Sequence, residues 1–125
     1  MTRQRRPRMG EIFWLRDCPA LEGEGVKDRP VVVIVPPGRD DVMIVVVACT
    51  TRYSPNHEDA VELPNAQTHP RFTSGLQRHT WAIPKWYFAV KIERLGGFVG
   101  NISGATLKRV ALAVEARMKE PGRNN

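Results

Sequence analysis

A small, strongly curved antiparallel sheet or partly open barrel, carrying one terminal helix, is the fold this sequence predicts. Three observations predict it. Short β-prone runs divided by turn residues fill positions 11–102. Two of those runs, 30–35 and 42–48, are β-branched almost throughout and are joined by a Pro-Pro-Gly turn. Helical spacing is confined to positions 107–118, near the end. Strands first and one helix last is the order of a mainly β domain with a helix packed on its sheet.

Residues 1–9 read as a flexible basic arm, 10–119 as the domain and 120–125 as a tail. Gly10 opens the run Glu11, Ile12, Phe13, Trp14, Leu15, which ends at Arg16 and Asp17. Residues 18–28 hold Gly23 and Gly25 among acidic side chains and read as a mobile loop. The runs 30–35 and 42–48 lack polar alternation, so both of their faces are expected to be buried, or one to be covered by a partner. Residues 36–41 form a strong turn between them, which makes a central antiparallel hairpin. After a polar loop, Val61, Glu62 and Leu63 alternate as a short strand. Residues 80–83 and 86–90 read as two extended pieces divided by Pro84. Gly96 and Gly97 turn the chain into a last short strand at 98–102. Ser103 is placed as a helix N-cap. Behind it Leu107, Val110, Ala111, Val114 and Met118 share one face, until Pro121 and Gly122 stop the helix.

The chain has 125 residues, 42% of them hydrophobic and 26% charged, which suits one globular domain with a single core. The formal net charge of +6 favours a polyanionic partner. Arg3, Arg5, Arg6 and Arg8 supply four of those charges, so the remainder carries a weaker excess. No apolar stretch follows the charged N-terminus and no apolar run approaches the roughly 20 residues that span a bilayer, so a soluble, cytoplasmic protein is expected. Cys18 and Cys49 lack metal-ligand spacing and are expected to be buried thiols, with a disulfide as the alternative. His57, His69 and His79 lie apart from one another, so no metal and no cofactor is expected.

The chemistry-bearing residues cluster around the central hairpin. Arg29 precedes Pro30, which holds it extended at the start of a core strand. A guanidinium fixed there can bind a phosphate in two-pronged fashion, or can form a strand-edge salt bridge with Asp28 or Glu24. Thr50 and Thr51 end the second core strand, as hydroxyl donors or simply as β-formers. Glu24 can act as a base, can orient Arg29, or can lie in solvent. Trp81, Trp86, Tyr87 and Phe88, with Lys85 and Lys91 between or beside them, form either a base-stacking surface or alternating core and interface residues.

Taken in order, these segments resemble the MazF/PemK (Kid) family of toxins. Residues 10–15 are similar to that family's opening strand. Glu24 followed by Arg29 and Pro30 resembles its loop, and Val31 to Val35 the strand after it. Ala48, Cys49, Thr50, Thr51 and Arg52 resemble its Thr-containing segment. Residues 61–63, 74–76 and 100–110 resemble later strands and the terminal helix. The resemblance covers residues 9–118 and implies a small SH3-like barrel of the MazF/Kid/CcdB type. It further implies a homodimer, a metal-independent endoribonuclease that cuts single-stranded RNA, and neutralisation by an acidic antitoxin. Arg29 and Thr50 match the family's catalytic pair and Glu24 its loop acid. Lys27, Thr51, Arg52, Arg78, His79 and Lys85 are then the candidate RNA contacts.

This chain departs from the family pattern at Gly25, where Gln is common, and at Pro84 and Lys85, where many relatives carry Asp-Gln. The second departure favours an alternative: a non-catalytic module of the same fold that binds RNA or antitoxin. A gyrase-directed toxin of the CcdB kind is disfavoured, because residues 118–125 contain no aromatic. The homodimer is also expected from the two all-apolar runs, which a lone sheet of this size struggles to cover.

Overall fold

A computed structural model describes residues 6–19, 26–52, 58–64 and 75–119. They form β1 (Glu11–Pro19), β2 (Val26–Val35), β3 (Met43–Thr50), β4 (Val61–Leu63), β5 (Thr80–Lys91), β6 (Leu95–Asn101) and α1 (Gly104–Met118). The strands make one antiparallel sheet in the order β4-β5-β3-β2-β1-β6. It is the curled sheet with a C-terminal helix that the sequence predicts. No helix among the described residues is long and apolar enough to cross a membrane.

Within one chain the all-apolar strands are buried on both faces over their middle residues. On the outer face Val32, Ile34, Val47 and Cys49 pack with Val110 and Val114 of α1. On the inner face Val31, Val33, Val46 and Ala48 pack with Leu15, Ile83, Trp86 and Leu95. The described part of that inner cluster comes from strands alone, so the curl of the sheet itself buries it. Each such side chain contributes about 1.5–3 kcal/mol on burial. One chain covers the middle of each run, while Val35, Val42 and Met43 at the turn end stay exposed. Cys18 belongs to the inner cluster and Cys49 to the outer one. Both are free, buried thiols, not a disulfide.

The ends of the elements differ from the sequence reading in four places. β1 does not stop at Asp17; that residue takes φ 53°, its N–H donates to Asp28 Oδ1 at 3.1 Å, and pairing resumes at Cys18 with Lys27. Asp tolerates the left-handed region better than most residues, so the bulge carries the strand onward. Cys18 and residues 26–28 are thereby strand and not loop. Pro84 does not divide β5: four residues, 83–86, face the single Ala48 between the Val47–Tyr87 and Cys49–Ala82 pairs. A residue without an N–H is tolerated where the ladder is already interrupted. Gly96 and Gly97 lie inside β6, and the turn is the 3-10 segment Ile92–Arg94. At Gly96 a side chain would begin 3.2 Å from the Trp14 carbonyl, so glycine lets β6 lie close to β1. Met118 is half exposed, because the apolar stripe of α1 meets the sheet only as far as Val114.

Residues 6–8, part of the expected arm, lie against the turn between β2 and β3, where Arg6 donates to Gly38 O at 2.5 Å. Ser103 caps α1 as expected, accepting from Thr106 N at 3.3 Å. At the other end Arg117 Nε donates to Asp59 Oδ2 at 2.8 Å, tying the last turn of α1 to the segment before β4. That hydrogen bond, with the charges of Arg117 and Lys85 behind it, holds the Asp59 carboxyl below its ordinary value against the opposing effect of burial. A carboxyl depressed in the fold stabilises above its unfolded value of about 3.9, and that stability is lost as pH falls through the lower folded value. Urea unfolding of wild type and Asp59→Asn is expected to differ by about 1–2 kcal/mol at pH 7 and to converge below pH about 4. A constant difference down to the acid limit would show that the ion pair contributes nothing.

Candidate functional site

Burial on both faces drives polar chemistry to the strand ends. β2 and β3 run antiparallel, so the start of β2 and the end of β3 lie at the same end of the sheet. Val31 pairs with Ala48, and continuing that register by two residues sets Thr50 opposite Arg29. Arg29 pairs in turn with Leu15, Thr50 with Trp81, and Trp81 with Glu62. Paired residues of an antiparallel sheet share a face, and Arg29 alternates with Val31 and Val33. The row Leu15-Arg29-Thr50-Trp81-Glu62 thus crosses five strands on the inner face.

Arg29 is 4% exposed, and its guanidinium carbon lies 4.7 Å from the centroid of the Trp86 ring. Of the two strand-edge acids expected for it, Asp28 accepts from the Asp17 N–H and Glu24 lies outside the described residues. The indole face attracts the cation and fixes its plane. Thr50 is half-buried; its Oγ1 accepts from Arg52 N at 3.1 Å, while its own hydrogen meets only a long 3.5 Å contact to Arg52 O. The hydroxyl is therefore oriented, with a hydrogen to give to another acceptor. Lys27, exposed and opposite Cys18, extends the row's face toward the rim. Burial pushes the Cys18 thiol up, partly offset by the charges of Arg29 and Arg94.

His79 stands just before β5. Its ring stacks on Trp81 with centroids 6.0 Å apart and planes 26° from parallel. Its Nδ1 lies 2.7 Å from Glu62 Oε2, and both side chains are nearly half exposed. Thr51 and Arg78 instead line a cavity of about 310 Å³ on the outer face, with Trp14, Pro30 and Gln77. Gly75, at the entry to that segment, takes φ 75° with no room for a side chain against the Val99 backbone. Arg52 is exposed on the bend after β3. Lys85 sits in the irregular part of β5, where its charge acts on Asp59, and is not brought into the row. Glu24, His57 and His69 lie outside the described residues.

The structure thus gathers Lys27, Arg29, Thr50 and His79 on one face and sets Thr51 and Arg78 behind it. The aromatic group of β5 divides between the faces. Trp86 belongs to the inner core, Tyr87 packs on the outer one, and Trp81 stays half-buried at the rim. Glu62 escaped the sequence reading. Its alternation with Val61 and Leu63 shows only that it points away from the outer core. Its pairing with His79 depends on strand order.

A family model for PemK-like, MazF-like toxins of type II toxin-antitoxin systems matches residues 8–117. The chain belongs to this family. The structure of this PemK/MazF-family toxin is similar to that of MazF from Deinococcus radiodurans, with TM-score 0.71, 16% identity, and 94% of this chain and 100% of that one covered. It is similar as well to a MazE-MazF structure from the same organism, with TM-score 0.68, 14% identity, and coverages of 93% and 98%. A mycobacterial endoribonuclease in complex with its cognate antitoxin gives TM-score 0.65 at 17% identity, with coverages of 94% and 98%. At such identities the structural likeness speaks for the fold. Comparison with curated proteins found no match.

The stack of Arg29 on Trp86 is testable in the family toxin itself. A double-mutant cycle with Arg29→Met and Trp86→Leu is expected to show a coupling of about 1–2 kcal/mol in unfolding free energy. Additive losses would mean that the indole does not hold the guanidinium.

Proposed function

We propose that this toxin is a metal-independent endoribonuclease that cuts single-stranded RNA, leaving 2′,3′-cyclic phosphate and 5′-hydroxyl ends. The observation that carries the reading is the placement of Arg29 and Thr50 on neighbouring strands, facing one way at one end of the sheet. In-line attack of a 2′-hydroxyl on the adjacent phosphorus builds negative charge on the non-bridging oxygens. Arg29 stabilises that charge from a poorly solvated position, where its field is stronger than in water. Thr50 donates its hydroxyl hydrogen to one of the same oxygens. Glu24, the loop acid of the resemblance, orients Arg29.

The RNA enters along the rim. Lys27, Arg52 and His79 contact it on the inner face, Thr51 and Arg78 at the outer cavity, and Lys85 beyond them. The active domain is residues 10–119, working in the cytoplasm. Its partners are a second copy and an acidic antitoxin, whose charge complements a net +6 chain. A dimer is expected by light scattering at micromolar concentration; a monomer there would remove the second copy from the reading.

The deciding experiment is cleavage of a long single-stranded RNA in EDTA, with end-group analysis. Wild type is expected to release 2′,3′-cyclic phosphate ends, and Arg29→Ala to lose roughly 10²–10³-fold in rate. RNA bound but uncut by wild type would instead favour the non-catalytic module, for which Pro84 and Lys85 speak.

A further inference from the structure

Cleavage to a cyclic phosphate needs a group that removes the proton of the attacking 2′-hydroxyl. Neither Arg29, which stays protonated, nor Thr50, whose oxygen already accepts from Arg52 N, serves that need. Lys85, in the strand where relatives carry a carboxylate, acts on Asp59 and is away from the row.

His79 meets the requirement on three counts. Its Nδ1 is 2.7 Å from Glu62 Oε2. An ionised carboxylate only accepts, so Nδ1 carries the hydrogen and Nε2 of the neutral ring keeps its lone pair. The carboxylate also fixes the orientation of the ring. Finally, the ring lies against Trp81, which pairs directly with Thr50. Neighbouring strands are about 4.8 Å apart, so Trp81 and Arg29 stand about 10 Å apart along the row, with Thr50 between them. His79, two residues before Trp81 and on the same face, thus lies across Thr50 from Arg29.

We propose that His79, oriented by Glu62, is the general base of the cleavage step, an inference that rests on the endoribonuclease reading. Nε2 takes the 2′-hydroxyl proton as the 2′-oxygen bonds to phosphorus. The P–O5′ bond breaks, its electron pair goes to the 5′-oxygen, and that oxygen takes a proton from water. The imidazolium then returns its proton to solvent. Charged groups around the ring are Glu62 on β4, the adjacent Arg78, and Arg52, which the β3-β5 register sets opposite His79. Arg29 lies farther along the row. Among the described residues Glu62 is the acid that faces the ring.

The test is the pH dependence of kcat on single-stranded RNA for wild type, His79→Gln, Glu62→Gln and Arg29→Ala. Both dyad side chains are nearly half exposed, so their variants keep the fold, which circular dichroism checks. A base is active when neutral, so wild-type kcat is expected to rise with pH along an acid limb. His79→Gln should lose roughly 10²–10³-fold in kcat together with that limb. Glu62→Gln should lose about tenfold in kcat, since the ring loses the carboxylate that fixes its tautomer and orientation. Arg29→Ala should lose rate with the limb in place, and free imidazole should restore part of the activity of His79→Gly. Wild-type kcat in His79→Gln, or a loss that leaves the limb intact, would overturn the dyad while the ribonuclease reading stands. RNA uncut by wild type would overturn both.

Discussion

Burial of β2 and β3 on both faces is the constraint from which the rest of the molecule follows. A strand covered on both sides has no interior position for a charged or hydrogen-bonding side chain, because an unpaired polar group there costs several kcal/mol. The first residues free of that penalty are at the strand ends. Antiparallel pairing then brings the start of β2 and the end of β3 together. Arg29 and Thr50 come opposite each other because the apolar stretches 31–34 and 44–49, all Val, Ile, Ala and Cys, hold the hairpin in register.

The two coverings are of different kinds. The outer face is closed by α1 and by Leu76, whose segment depends on Gly75 taking a backbone conformation that other residues resist. The inner face is closed by curvature, as β1, β3, β5 and β6 bend around Val31 and Val33. Curvature needs local irregularities, and this sheet has them at Asp17, at residues 83–86 and beside Gly96. The same irregularities shape the site. The run 83–86 delivers Trp86 beneath Arg29, and the bulge at Asp17 carries Cys18 and Lys27 into the ladder beyond it.

A nearly buried guanidinium is costly unless something holds it. The Trp86 ring, 4.7 Å from the guanidinium carbon, is one group that does so. A cation kept charged, poorly hydrated and fixed in plane suits a group meant to meet a phosphate. The histidine at the other end of the row is arranged the opposite way, half exposed and paired with a carboxylate.

Much of this was legible in the residues. The β-branched runs 30–35 and 42–48 determined the central hairpin, since no helix or loop accommodates so continuous an apolar, branched stretch. Ser103 with Val110 and Val114 determined the helix and its buried side. Arg29 before Pro30, and Thr50 at the close of the second run, marked the site. Loops and breaks were read less well. Asp17, Pro84, and Gly96 with Gly97 look like terminators in a linear chain. In the fold they are bulges and close approaches, because neighbouring strands supply pairing that a local rule does not count. The sequence by itself determined the central strands, the helix and the apolar faces of both. Only the tertiary structure decided that one chain covers the middle of both runs, that Trp86 lies under Arg29, and that Glu62 reaches His79. Those outcomes depend on strand order and register, which are set by contacts between residues far apart in the chain.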